Sequence, residues 1–103
     1  MGNPWAGEVA LTIGGRRHVA KLTLGALAEL ENTLGEGGLV ALIERFEAGG
    51  YATRDVVALL LAGLRAGGWR GSAGDLMSAD IEGGPIEAAR TAALLLARAF
   101  RAP

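Results

Sequence analysis

Apolar residues alternate with polar or small ones near the start of the chain. Positions 9, 11 and 13 are Val, Leu and Ile, whereas positions 8, 10 and 12 are Glu, Ala and Thr. This period of two is typical of a half-buried β-strand. Gly14 and Gly15 follow, and two glycines readily adopt the positive φ angles of a type I′ turn. Residues 7–22 are therefore predicted to form a β-hairpin in which Leu11 pairs with His18.

Beyond residue 22 the apolar positions recur every three or four residues, which is the spacing of amphipathic helices. Pairs of glycines divide this region into segments, and three helix caps are predicted: Thr23, Thr53, and Ser72 with Asp75 in a capping box. Five helices are predicted, beginning at or near Leu24, Leu39, Thr53, Ser72 and Pro85. The predicted fold class is α+β, with an N-terminal β-hairpin (7–22) followed by a small bundle of four to five helices (23–103). We expect residues 1–103 to form a single domain.

The apolar stripes predict which helix faces point into the core. In the first helix the stripe consists of Leu24, Leu27, Leu30 and Leu34. In the last helix it consists of Ile86, Ala89, Ala93, Leu96 and Phe100. The third helix is apolar nearly all round, with Val57 and Leu61 beside its main stripe. Such a helix lies either at the centre of a core or under a binding partner.

Charge and cysteine content exclude several classes of function. The 103-residue chain has a formal net charge of −1 and contains no cysteine. Without a basic excess, nucleic acid is not predicted as a partner. Without cysteine, disulfides and cysteine-ligated metal sites are excluded. The longest apolar run, at 56–64, is too short to cross a bilayer, so no membrane partner is predicted. We expect a soluble protein of the cytoplasm.

The sequence contains no arrangement typical of a catalytic site. His18 is the only histidine, and neither a cysteine nor a carboxylate near it would complete a metal-ligand set. Ser72 and Ser78 are the only serines, and neither lies in a nucleophile elbow. The glycine-rich segments lack the Gly-Lys-Ser/Thr ending of a phosphate-binding loop. We therefore predict that the protein is not an enzyme, with no catalytic residues, no metal and no cofactor.

Three aromatic residues lie in or near predicted loops or the N-terminus, outside the apolar stripes. They are Trp5, Tyr51 and Trp69. One interpretation is that these rings fold back over a small core. The other is that they anchor a protein partner, since Trp and Tyr are enriched at interface hot spots. The sequence leaves both interpretations open.

Three segments resemble the gene transfer agent family of small phage-like tail proteins: GEVALTIGGRR at 7–17, LTLGALAELE at 22–31 and LLLAGLRAGG at 59–68. Members of that family occur in gene transfer agents and tailed phages of alphaproteobacteria, encoded between the tail tube protein and the tape measure protein. The resemblance implies a tail assembly chaperone, which coats the tape measure protein before tail tube subunits polymerise around it. The family has also been labelled a tail tube protein.

We therefore expect a tail assembly chaperone that binds the tape measure protein and helps to recruit tail tube protein, in the cytoplasm during particle assembly. The alternative is a permanent structural component of the particle, either tail tube or head–tail connector. Self-association stays open. The residues hypothesised to contact a partner are Trp5, Tyr51, Val57, Leu61, Trp69, Leu94 and Leu95.

Overall fold

A computed structural model describes residues 7–34 and 37–100. Two antiparallel strands, β1 (Val9–Ile13) and β2 (Arg16–Ala20), form the N-terminal hairpin. Five helices follow: α1 (Leu24–Leu34), α2 (Gly38–Ala48), α3 (Thr53–Ala66), α4 (Ala73–Ser78) and α5 (Gly84–Ala99). The structure thus confirms the predicted α+β fold, a hairpin followed by a small set of helices.

The hairpin has the register that the alternating pattern predicted. Leu11 lies opposite His18, and the turn residues Gly14 and Gly15 have φ angles of 58° and 78°. Positive φ at both central residues is the requirement of a type I′ turn. Leu11 and the other apolar residues of β1 are buried, so a slip by one residue would expose the whole apolar face.

Helix α3 lies at the centre of the structure, where it packs against β2 and three other helices, α1, α4 and α5. Its contact with β2 is made by backbone as well as side chains. The amide of Lys21 donates a hydrogen bond of 3.0 Å to the carbonyl oxygen of Gly63. One turn further on, a methyl group added at Gly67 would overlap the carbonyl oxygen of Val19. The near-complete apolar surface of α3 is therefore used mainly for the core.

Two of the predicted apolar stripes are wrong in part. Leu24 is 86% exposed, and Ala26 instead is buried on α1. In α5, Ile86 is 84% exposed and Phe100 is 49% exposed. The buried residues of α5 are Ala88, Thr91, Ala92, Leu95 and Leu96. This helix carries apolar residues on two faces, and packing against α3 and β1 selects the second face.

The N-terminal end of α3 is held by a buried carboxylate. Asp55 accepts two hydrogen bonds of 2.9 Å from the guanidinium of Arg45 and one of 2.8 Å from the amide of Ala52. Thr53 was predicted to cap this helix but is its first residue, and the capping position is Ala52. The side chain of Asp55 thus accepts a hydrogen bond from the amide of Ala52, the capping residue, which has no partner within the helix. Through its bonds to Arg45, Asp55 also joins α2 to α3.

The other two predicted caps are confirmed. The hydroxyl oxygen of Thr23 accepts a 3.1 Å hydrogen bond from the amide of Ala26 at the start of α1. Ser72 and Asp75 form the reciprocal capping box of α4, with hydrogen bonds of 2.9 and 3.1 Å. These bonds explain why so short a helix begins at a defined residue.

The close approach at Gly67 predicts a strong effect of one methyl group. Gly67→Ala should lower the free energy of unfolding by about 3 kcal/mol, because the new methyl group displaces α3 from the Val19 carbonyl. Gly50→Ala is the matched control, since a methyl group there meets no atom within 4 Å. Its effect should stay within about 1 kcal/mol. Urea unfolding followed by circular dichroism measures both, and equal effects of the two changes would contradict this packing.

The carboxylate of Asp55 predicts a dependence of stability on acid. Burial alone would raise its pKa, but the hydrogen bonds from Arg45 and Ala52, with the charge of Arg45, hold the pKa below the ordinary 3.8. The stabilisation is therefore complete above pH 3.8 and is lost as the pH falls further. Asp55→Asn should lower the free energy of unfolding by about 2 kcal/mol at pH 7.

The difference between Asp55→Asn and the wild type should narrow below pH 3.8, where the native carboxylate itself becomes protonated. Glu31→Gln, on the exposed face of α1, serves as the control. Urea unfolding at a series of pH values tests this expectation. A constant difference at all pH values would show that the ionised form of Asp55 is not what stabilises α2 against α3.

Candidate functional site

An open apolar groove lies between the N-terminal halves of α3 and α5, beside α4. Its volume is about 840 Å³, within the usual range of ligand-binding pockets. The floor is made by buried side chains of three helices, including Val56, Leu60 and Leu76. The charged residues among its described lining are Asp80 and Arg90. Such a surface is suited to burying the apolar side chains of a partner.

Large apolar side chains stand exposed at the mouth of the groove. Ile86 is 84% exposed, Met77 68% and Tyr51 39%. The ring of Tyr51 stacks on that of Phe46 with 4.5 Å between ring centroids and 8° between their planes. Exposed apolar groups gathered around one concavity are typical of an interaction site, whereas scattered ones are not. These side chains make the groove the candidate functional site.

Local structure explains why Met77 and Ile86 are exposed. Helix α4 has six residues and buries Leu76, so the adjacent Met77 projects from another side of the helix. Ile86 lies in the first turn of α5, directly after Pro85, and its side chain precedes the first buried residue, Ala88. In α4 and in α5 one face packs against the core, and Met77 and Ile86 lie on faces that do not.

The segment between α4 and α5 is fixed to the hairpin. The amide of Gly14 donates a 2.8 Å hydrogen bond to the carbonyl of Asp80, and the amide of Glu82 donates one of 3.0 Å to the carbonyl of Thr12. Ile13 and Ile81 form an isolated antiparallel bridge. This segment therefore supports the α4 wall of the groove and covers part of the outer edge of β1.

The structure places two of the seven hypothesised contact residues in the groove. Tyr51 and Val57 line it. Leu61 and Leu94 are half-buried, pack against the core and lie outside the groove lining. Leu95 is 0% exposed, so it has no surface to offer a partner while the fold is intact. Trp5 lies outside the described residues.

Trp69, the remaining hypothesised contact residue, lies against the core. It is half-buried, and its indole ring lies over the backbone of Gly71, where an added methyl group would overlap the ring. Its amide donates a 2.9 Å hydrogen bond to the carbonyl of Leu64. This position favours the interpretation of Trp69 as a cover over the end of α3.

The pattern-based prediction missed Met77 and Ile86 as contact residues. Ile86 was assigned to the core stripe of the last helix, and Met77 was not among the hypothesised contact residues. The sequence nevertheless contained a signal that Met77 and Ile86 are exposed. The last helix has more apolar residues than one buried stripe needs, and α4 offers two consecutive large apolar residues where a short helix buries one.

Within 7–34 and 37–100, no group of three His, Cys, Asp or Glu side chains is placed to hold a metal ion. The helices in these ranges are each too short or too polar to span a membrane. What the groove provides is apolar surface with one carboxylate and one guanidinium at its edge.

Comparison with known families decides what kind of protein carries this fold. The model of the family described as phage tail tube protein, GTA-gp10, matches residues 6–102. The chain belongs to this family. The match confirms the gene transfer agent family that the three sequence segments resemble, and it places the chain among the proteins of phage-like tails. Comparisons with curated proteins and with solved structures give no match.

The position of Trp69 predicts a structural role. Trp69→Ala should lower the free energy of unfolding by about 2 kcal/mol, because a half-buried indole is removed from the core surface. Tyr51→Ala should cost less, about 1 kcal/mol, since that ring is 39% exposed and stacks mainly on Phe46. Urea unfolding measures both. A Trp69→Ala protein with unchanged stability that no longer captures a tail partner would favour the anchor interpretation.

Proposed function

We propose that this GTA-gp10 family member is a tail assembly chaperone. It binds the tape measure protein in the cytoplasm and helps to recruit tail tube subunits during particle assembly. The binding site is the apolar groove between α3 and α5. The proposal combines the tail family with a surface that is suited to transient binding of apolar side chains.

The observation that carries the proposal is the open groove with Met77 and Ile86 exposed at its mouth. Leaving such side chains in water costs free energy, which binding of an apolar partner recovers. A chaperone that keeps an apolar helical protein from aggregating needs a surface of this kind. The absence of charge excess around the groove favours recognition by apolar contact over electrostatic attraction.

The hairpin favours the same assignment. A tube subunit joins its neighbours through extensive β-structure, whereas the described part of this chain contains one two-stranded hairpin. Both edges of that hairpin are partly covered, β1 by the hydrogen bond from Glu82 to Thr12 and the bridge between Ile13 and Ile81, and β2 by contact with α3. Addition of strands from neighbouring subunits is therefore impeded.

The family description favours a second candidate function, a permanent component of the tail tube. A head–tail connector is the other structural role that we consider. The two functions differ in what a finished particle contains. A structural component is present at a fixed copy number, whereas a chaperone is depleted after assembly. Quantitative mass spectrometry of purified particles separates them.

The groove predicts which surface residues matter for capture of the tape measure protein. Co-expression of both proteins, followed by a pull-down and a solubility assay, should show binding by the wild type. The double variant Met77→Glu with Ile86→Glu should reduce capture at least tenfold, because two carboxylates would be buried in the apolar interface. Both side chains are exposed, so the fold should tolerate the change.

The chain offers a closely matched control for this experiment. Leu24 and Val40 are 86% and 68% exposed, against 84% for Ile86 and 68% for Met77, and neither lines the groove. The double variant Leu24→Glu with Val40→Glu should capture as well as the wild type. Equal loss in both double variants would refute the groove as the binding site. No capture by the wild type, with a fixed copy number in particles, would make the protein a structural component.

A further inference from the structure

The outer face of α5 carries a second apolar stripe that continues from the groove to the end of the helix. We call it the α5 seam, and its residues are Ile86, Arg90, Ala93, Ala97 and Phe100, the last of which is the C-terminal capping residue of α5. Their spacing of four, three, four and three residues keeps them on one side of a helix. The seam is about 21 Å long at 1.5 Å per residue. All of its residues are exposed, and three of them also line the groove.

The chemistry of this surface favours a helix as its occupant. The groove and the seam are built from helices, whose backbone amides and carbonyls are already bonded within each helix. An extended peptide lying there would bury backbone groups without partners, which is costly. A helix satisfies its own backbone and presents only side chains. The small side chains of Ala93 and Ala97 leave room for its close approach.

Arg90 defines the charge that the occupant should carry. It is the charged residue of the seam, with a side chain that is 66% exposed, whereas Asp80, the other charged residue of the groove lining, lies off the seam in the segment between α4 and α5. The described partner of Arg90, Glu87, is 3.4 Å away on the same helix, a long and exposed contact. Such a pair contributes little, so the guanidinium remains available to a carboxylate of a bound helix. A second copy of this chain is disfavoured, because the α5 seam carries no carboxylate that could pair with Arg90.

We propose that the groove and the α5 seam together bind an amphipathic α-helix of another protein, whose apolar stripe covers Ile86, Ala93 and Phe100 and whose acidic side chain pairs with Arg90. The proposal specifies the partner chemistry of the groove. It rests on the proposed function only for the identity of the tail protein that supplies the helix.

Designed helical peptides test the proposal on the full chain. Three labelled 21-residue peptides share an apolar stripe and differ at one central flanking position, which is Glu, Gln or Lys. In fluorescence anisotropy the Glu peptide should bind best, and the Lys peptide about tenfold more weakly. Arg90→Glu should reverse that order. Arg70→Glu, an exposed charge reversal outside the groove lining, should preserve it.

The apolar part of the site has its own matched pair of variants. Ile86→Glu should weaken all three peptides at least tenfold, whereas Leu24→Glu should not, although the two leucine-sized side chains are almost equally exposed. Circular dichroism melting curves verify that each variant is folded. Binding that survives Ile86→Glu, or a preference for the Glu peptide that survives Arg90→Glu, would overturn the proposal.

Two further outcomes separate this proposal from the proposed function. If the peptides bind through Ile86 and Arg90 but the protein fails to capture the tape measure protein, the helix site is supported and the tape measure protein is refuted as its partner. Capture of the tape measure protein with no binding of any designed helix would retain the chaperone and refute the helix site. If sedimentation shows a concentration-dependent dimer, and Ile86→Glu abolishes that dimer, then the occupant of the site is a second copy of this chain and not a helix of another protein.

Discussion

The close contact between helix α3 and strand β2 is the constraint on which the rest of the structure depends. Gly63 and Gly67 bring the backbone of the helix to the backbone of the strand, with the Lys21 amide bonded to the Gly63 carbonyl. A side chain at Gly67 would separate the two elements. With α3 held there, its remaining surface is available to α1, α4 and α5, and the core forms around it.

The groove is a consequence of how the other helices use that central surface. Helix α5 packs one of its two apolar faces against α3 and β1, which leaves Ile86 and the rest of its outer stripe in water. The short α4 buries Leu76 and exposes Met77 for the same reason. Contiguous apolar surface left exposed in this way is typical of interaction sites.

Polar contacts hold the walls of the groove in position. The ion pair of Arg45 with buried Asp55 joins α2 to α3 and so fixes the stacked rings of Phe46 and Tyr51 at one side. Hydrogen bonds from the segment at 80–82 to the hairpin fix the other side. The carboxylate of Asp55 has a lowered pKa because both partners favour its charged form. A site whose walls are fixed beforehand loses less conformational entropy when a partner binds.

The sequence by itself determined the hairpin and its register, a following set of four to five helices, two of the three predicted caps and the tail family. Each of these depends on local spacing, turn chemistry or short segments of characteristic sequence. Only the tertiary structure decided that Leu24, Ile86 and Phe100 face water, that Leu95 is fully buried, and that Tyr51 and Val57 lie beside Met77 in one groove. The physical reason is that periodicity reveals how many apolar faces a helix has. Which of two such faces is buried depends on the elements against which the helix packs, and those contacts join residues far apart in the chain.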